Sequence, residues 1–329
     1  NLSGVDLTLL PLARLRGGLT LEEREHSTRS QRRMAAIRLE KALLSSTHLE
    51  GACLSRGHLE EVEATNAHLE QADLHVTYLE HANFQQAHLD GADLRRAFFD
   101  SASSLEDLSL GNSEYGGASL ANVRWNGVNL TEVQWAYSVQ AFGKRQFKTF
   151  ILGDERRARQ KKSHKGAIKT SARRLHEYRA SVRANRQLAV ELRNQGLAEE
   201  ADHFAYRAQL LQRIVFRYEH QPLKYLFSWF LGLLTGYGYR MWRIIIAYVL
   251  LNLAFATTYW SLGVQQPHDI SFWTALIVSV TAFHGRVFSS PFTPNIADAQ
   301  IIVTGIEAVA GLVIESLFVA MLVQKFFSR

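Results

Sequence analysis

Cysteine and proline are scarce: one cysteine, Cys53, and five prolines stand among 329 residues. A single thiol excludes an internal disulfide framework and suits a reducing compartment for any soluble part. No apolar signal segment opens the chain, and residue 1 is Asn rather than Met, which reads as a trimmed or processed form. The sequence offers no nucleophile–base set, no closed metal-ligand cluster and no phosphate-binding glycine loop. An enzyme is therefore the least favoured class, and no cofactor or metal is expected. Basic residues are nearly missing from positions 47–107, where twelve Asp/Glu face three Arg, a net of −9. Positions 144–193 reverse this, with sixteen Lys/Arg against four acids, a net of +12, and after Arg243 the chain is mostly apolar. Such asymmetry implies segments with separate physical tasks.

A period fills the acidic part. From Thr47 onward a Leu or Phe recurs every five residues, as in Leu49, Leu54, Leu59, Leu69, Leu74, Leu79, Phe84, Leu89, Leu94 and Phe99. Two residues before most of them lies a small residue, among them Ala52, Gly57, Ala67, Ala72, Ala82, Ala87, Ala92 and Ala97. A period of five fits neither a helix nor an ordinary strand, so the chain must turn a corner with each repeat. The segments AHLEQADLHV and AHLDGADLRR resemble the pentapeptide-repeat family, well over residues 37–104 and weakly over 113–137. The resemblance implies a right-handed quadrilateral β-helix of four repeats per coil, with the large and small residues pointing inward. Coils then stack at roughly 4.8 Å, and a small residue such as Ala64 lies one coil below Phe84. The register breaks after residue 104: inward positions resume at 110 and run through Tyr115, Leu120, Trp125, Leu130 and Trp135, with SASSLEDLSLGNSEYGG as a bulge or loop. Residues 20–41 read as a helix capping the open end, which a solenoid needs.

His48, His68 and His88 are spaced by twenty, with Glu50, Glu70 and Asp90 two residues after each. On a strand each pair points to one side, which is metal-ligand chemistry in principle. The favoured reading is a solvated face on which imidazoles separate stacked carboxylates. Acidic pentapeptide-repeat proteins can also resemble DNA, which fits the charge but not the second half of this chain.

The basic segment contains Arg156, Arg157, Arg159, Lys161, Lys162, Lys165, Lys169, Arg173 and Arg174. Few aromatics interleave them, so a base-stacking platform is not supported. They read as a solvated stretch near anionic lipid headgroups or, more sharply, as a site for an anionic effector such as a nucleotide or oligonucleotide. Two helices at about 170–194 and 197–219 follow, joined at Gly196, and resemble a tetratricopeptide-type pair.

Residues 222–234 (PLKYLFSWFLGLL) are too few to span and read as interfacial. TGYG at 235–238 precedes the first span, so it is a turn rather than a filter. Residues 244–262 are charge-free, and a second apolar run covers 301–323. Arg240, Arg243, Lys325 and Arg329 flank these runs and place both termini in the cytoplasm. Between them ISFWTALIVSVTA is apolar but too short to cross.

A span, a short re-entrant helix, a glycine-bearing loop and a second span resemble the two-transmembrane, potassium-channel-like pore family over roughly residues 242–323. The resemblance implies a homotetramer around one axis, with small ions as permeants and the loop after the pore helix as the filter. That loop is Thr281, Ala282, Phe283, His284, Gly285 and Arg286; it has no G-Y-G and no following acid. Glu307, Gly311 and Glu315 share one face of the second span as pore-lining or filter-supporting groups. Glu307 is expected to pair with Arg286 or His284, and Glu315 to face the cavity. Gly311 reads as a hinge or as a close-packing position.

The expected organisation is therefore an N-terminal segment and capping helix (1–45), a β-helix (46–137), a basic linker with a helical hairpin (138–221) and an all-α membrane pore domain (222–329). Within the last, the spans cover 242–262 and 300–324 and the pore helix 270–282. Two functions are expected to compete: an oligomeric ion channel in a bacterial inner membrane, contacting lipid and gated from the cytoplasm, and a membrane-anchored interaction scaffold without conduction.

Overall fold

The computed structural model describes residues 2–19, 23, 26–141, 145–162, 166–239, 241–263, 271–285 and 299–327. They form two compact units, Asn1–Tyr225 and Leu226–Arg329.

The first unit is built on the five-residue period. Each repeat places one residue in a parallel bridge to the coil above, as in His48↔His68, Cys53↔Asp73, His58↔Tyr78 and Glu63↔Asn83. Backbone N–H groups reach the next coil at ordinary lengths, for instance from Leu49 to His68 O at 2.7 Å. The residues on either side of each bridge point inward, so the core is a stack of Leu and Phe with Ala, including Leu49, Ala52, Leu54, Phe84 and Phe99, all essentially buried. Ala64 sits in the same inward column as Leu44 and Phe84 and makes room for the ring. Each corner needs a residue in the left-handed region. Gly51 and Gly91 supply two of these, but Asn66, Gln71 and His81 adopt φ of 55°, 59° and 59° as ordinary residues. Strain at those corners is offset by the ladder that fixes them.

Two features differ from expectation. Residues 2–18 are not a segment outside the solenoid: Asp6, Pro11 and Arg16 bridge Leu43, His48 and Cys53 and form three sides of a coil. The fourth side comes from Arg38, which bridges His58. The helix α1 (Arg29–Met34) therefore belongs to an insertion within the winding, not to a cap beyond its end, and residues 20–22, 24 and 25 of the expected helix lie outside the described residues. In the first coil Val5, Leu10 and Leu15 stand in the columns that Ala42, Thr47 and Ala52 occupy in the next, so the small-residue signal is missing there.

The register break is also resolved. The bridge spacing widens from twenty to twenty-one at Asn83↔Ser104, then to twenty-six at Asp93↔Ser119. The second step accommodates a hairpin of β1 (Gly111–Asn112) and β2 (Gly116–Gly117). Asn112 Oδ1 accepts the N–H of Tyr115 at 2.7 Å, so Tyr115 belongs to the hairpin turn and not to the inward column.

The solenoid is capped at its C-terminal end. A hairpin of β3 (Tyr137–Ala141) and β4 (Arg145–Thr149) leads to α2 (Gly153–Arg159), then α3 (Ser171–Asn194) and α4 (Ala198–Tyr218) pack on each other. Thr170 caps α3, with its side chain accepting the Arg173 N–H. The turn between α3 and α4 closes the last coil: Gln195 Oε1 accepts Leu130 N–H at 2.7 Å and its Nε2 donates to Val128 O at 2.8 Å. Phe99, Trp125, Trp135 and Phe204 form a continuous aromatic series, and one hydrophobic core runs from the coils into Leu188, Leu192 and Phe204. Residues expected as a basic linker are thus part of the first unit, because their apolar face covers the open end of the solenoid.

The second unit holds most of α5 (Pro222–Leu234), together with α6 (Met241–Gly263), α7 (Phe272–Phe283) and α8 (Ala299–Phe327). Helices α6 and α8 contain stretches long and apolar enough to cross a membrane, Trp242–Ser261 and Ile302–Val323. Only 22% of each stretch is buried, which is not how the core helix of a soluble protein sits. Outward-facing apolar side chains include Trp242, Leu250, Trp273, Ile306, Val309 and Leu312.

Candidate functional site

Two groupings of polar side chains join the helices among the described residues of the second unit. The first is internal. Glu307 of α8 is fully buried between α6 and α7. Tyr259 donates to Glu307 Oε2 at 2.7 Å and lies 3.0 Å from Thr304 Oγ1. Ser279 of α7 faces Glu307 Oε1 and also lies 3.0 Å from the Asn252 carbonyl. One carboxylate thereby joins three helices through hydroxyl donors, and Glu307 does not pair with His284 as expected. Nothing in the five-residue or helical periods marks Tyr259, Ser279 or Asn252. Their only sequence signal is polarity inside apolar stretches.

The second grouping is open. Ser271 caps α7, accepting Thr274 N–H at 3.3 Å, and the helix continues to Phe283. Thr281, Ala282 and Phe283 are therefore its last turn rather than an extended loop. Ala282 and Phe283 point into the unit and are buried. Of the expected filter, His284 and Gly285 follow the helix, and Arg286 lies outside the described residues. Gly285 adopts φ +66° with its N–H bonded to Ala282 O at 2.9 Å, ending the helix.

His284 Nδ1 pairs with Glu315 Oε1, and its Nε2 lies 3.3 Å from the Tyr248 hydroxyl. Val280, Thr281, His284 and Glu315 line a cleft of about 440 Å³. Glu315 thus faces a cleft but shares it with His284. Gly311, one turn before Glu315, lies under the end of α7: a Cβ there would meet the Phe283 carbonyl oxygen at 1.9 Å. The geometry at Gly311 is that of close packing rather than of a hinge.

The TGYG stretch is a turn. Tyr237 adopts φ +58°, its hydroxyl lies 2.9 Å from Ser228 Oγ, and Arg243 donates to Gly232 O at 3.1 Å, so residues 235–239 fold back over α5.

In the first unit, the basic residues are mostly engaged. Arg156 donates to Tyr115 O, Arg157 lies 3.3 Å from Asp93 Oδ2, and Arg159 lies 2.7 Å from Glu155. Lys169 is buried and donates to Arg157 O and Glu177 Oε2, both at 2.6 Å. Arg173 lies 3.6 Å from Glu177, and Arg174 sits over the Tyr218 ring at 5.5 Å. Lys161 and Lys162 are exposed, and Lys165 lies outside the described residues. An anion at this segment would have to displace carboxylates and carbonyls from most of these cations.

Two acids explain how α2 is held. Asp154 Oδ2 accepts Leu120 N–H at 2.6 Å and Ala121 N–H at 3.1 Å, tying the helix to the coil. Burial pushes its carboxyl up to about 6, against the pull of those hydrogen bonds and of Arg95. Burial acts the same way on Asp93, but the hydrogen bonds and charge of Arg95, with Arg157, outweigh it and hold that carboxyl well below the usual range.

Residues 42–77 and 72–103 match the family described as pentapeptide repeats, in eight copies. No curated protein matches the chain. Among solved structures, the pentapeptide repeat protein Rfr23 from the cyanobacterium Cyanothece 51142 is 27% identical, over 38% of this chain and 90% of its own, with a TM-score of 0.24. A pentapeptide repeat protein of the Arabidopsis thaliana thylakoid lumen is 19% identical, over 44% of this chain and 69% of its own, with a TM-score of 0.20. The chain thus carries pentapeptide repeats in its first half and two helices able by length and composition to span a membrane in its second.

Proposed function

We propose that the protein is an oligomeric membrane ion channel whose pore unit is Leu226–Arg329 and whose pentapeptide-repeat unit is cytoplasmic. The observation that carries this reading is the pair His284–Glu315 in its cleft, on a unit that exposes many large apolar side chains among its described residues. A carboxylate and an imidazole facing hydrocarbon are costly, and such groups in membrane proteins face a bundle interior or a water-filled cavity. Association of copies around this face removes the cost and makes Thr281, His284 and Glu315 line water. Four copies follow the resemblance to two-span pore proteins. The short helix α7 supports the same reading, since a mere anchor has no need of an apolar helix of 12 residues between two spans. The membrane is taken to be a bacterial inner membrane with both termini inside, and an anionic cytoplasmic ligand is a candidate gating signal.

Purified full-length protein fused into planar bilayers tests this. Unitary current steps are expected, with a reversal potential that moves in Glu315→Gln under a salt gradient. Electrically silent protein, at every voltage and with nucleotides added, overturns the reading and favours a membrane-anchored repeat scaffold.

A further inference from the structure

A pore does not account for the ladder of His48, His68 and His88. Their rings stack with centroids 4.7 Å and 5.0 Å apart, one per coil. Beside them run Glu50, Glu70 and Asp90. His48 Nδ1 lies 2.8 Å from Glu50 Oε1 and His68 Nδ1 3.2 Å from Glu70 Oε1. If the imidazoles simply neutralised this face, the carboxylates would be satisfied. They are not: Oε2 of Glu50 and Oε2 of Glu70 are buried without a hydrogen-bond partner. A buried acceptor left unmet points to a water or an ion.

The donors converge. One ligand atom each from Glu70, His88 and Asp90 lies within 4.8 Å of the others, and the same holds for His48, Glu50 and His68. Asp90 is buried and anchored, with Oδ1 accepting from Ser109 at 2.6 Å and Oδ2 from Asn112 at 3.0 Å. Such anchoring is what orients a ligating carboxylate.

We propose that this face of the β-helix binds divalent transition cations, one among Glu70, His88 and Asp90 and a second among His48, Glu50 and His68. Mixed imidazole and carboxylate donors select Zn²⁺, Co²⁺ or Ni²⁺ over Ca²⁺ and Mg²⁺, which take oxygen shells. At metal–ligand lengths of about 2.1 Å, donors around one ion stand roughly 3.4 Å apart. Separations near the 4.8 Å limit therefore shorten by roughly 1 Å, while the 2.8 Å His48–Glu50 contact opens slightly, by small side-chain rotations.

The opposite face supplies the contrast. Glu40, His58 and Glu60 also gather within 4.8 Å, and Glu60 Oε2 is likewise buried without a hydrogen-bond partner, but here Arg38 Nε lies 2.8 Å from Glu40 Oε1. A resident cation takes up the charge there, and no ion is assigned to it.

The test uses tag-free, full-length protein in detergent micelles, stripped with chelator and dialysed against Co²⁺. Two equivalents per chain are expected in the wild type, one in His88→Gln and in Glu70→Gln, none in His48→Gln/His88→Gln, and two in His58→Gln. Circular dichroism in chelator checks that each variant keeps its fold, and Glu70→Gln carries the test if His88→Gln does not. Wild-type protein that retains no Co²⁺ overturns the proposal, as does equal retention by the folded site variants. Displacement of Co²⁺ by equimolar Ca²⁺ or Mg²⁺ overturns the assigned class.

Discussion

The hydroxyl of Tyr259, on α6, donates to Oε2 of Glu307, on α8, at 2.7 Å, while Ser279 of α7 faces the other carboxylate oxygen. A group that would be intolerable in hydrocarbon is thereby made the tie among three helices. Its energetic weight lies less in each bond than in what is left unmet when one is lost.

Tyr259→Phe keeps the ring and removes the donor. The Glu307 oxygen loses its partner from α6, and a loss of about 1–3 kcal/mol is expected. The measurement is the melting temperature of the purified protein in detergent. Because the network lies inside the unit and not at the cleft, ion preference in bilayers should be unchanged. A variant as stable as the wild type would show that the carboxylate does not hold the helices together.

Gly311→Ala places a methyl group 1.9 Å from the Phe283 carbonyl oxygen. Both partners are backbone, so neither can rotate away, and α7 and α8 must separate. Overpacking of this kind costs about 1–3 kcal/mol or more. Gly305, on the same helix, has nothing within 4 Å of its added Cβ. Gly305→Ala should therefore be neutral or stabilising, by up to about 1 kcal/mol of helix propensity. The pair of melting curves separates close packing from a general intolerance of α8 to substitution.

The coils were legible because a five-residue period permits few structures, and each repeat states it again in Leu and Ala. The first coil was not, since Val5, Leu10 and Leu15 replace the small residues that announce the others. The cap is hidden in the sequence for a different reason. Lys169, Arg173 and Arg174 read as a solvated basic run, whereas Lys169 and Arg173 meet the nearby Glu177 and Arg174 meets the Tyr218 ring of a helix distant in sequence. In the second unit, the short helix between two apolar runs was visible from length alone. The pairing of its acids was not: helical spacing places Glu307 and Glu315 on one face but cannot say that Tyr259 and His284 come to meet them.

Asp154 makes the first unit's stability depend on pH in an unusual direction. Its carboxyl titrates at about 6 when folded and near 3.9 when unfolded. Between these values the folded state holds the extra proton, so this site adds stability as pH falls through 6 toward 4. From pH 7 to pH 5 the gain is about 1 kcal/mol, or roughly 2–4 °C in melting temperature for a unit of this size. Histidines titrate in the same window, so the informative quantity is the difference between wild type and Asp154→Asn, measured at both pH values. The variant should lack that part of the gain. Equal pH responses would mean that Asp154 is not held in its charged, desolvated form at neutral pH. Asp93 acts oppositely: its carboxyl is held low by Arg95, so its contribution is present above about pH 3.9 and is lost as pH falls further.

The single cysteine makes the orientation of the cleft directly measurable. In a Cys53→Ser background, one new thiol can be placed at a time and its reaction with a charged, water-soluble thiol reagent followed in liposomes. Thr281 lines the cleft with His284 and Glu315, whereas Ile306 lies on the opposite side of α8 from Glu315 and is exposed on the apolar surface. An α-helix advances 100° per residue, so positions nine apart on α8 point about 180° away from each other. If copies assemble with the cleft toward water, Thr281→Cys should react at least tenfold faster than Ile306→Cys, which lies in lipid or against a neighbouring helix. Thiolate formation requires water, so the ratio reports hydration and not mere exposure. The reverse order, or equal slow rates, would place the His284–Glu315 pair in a dry contact and remove the observation on which the channel reading rests.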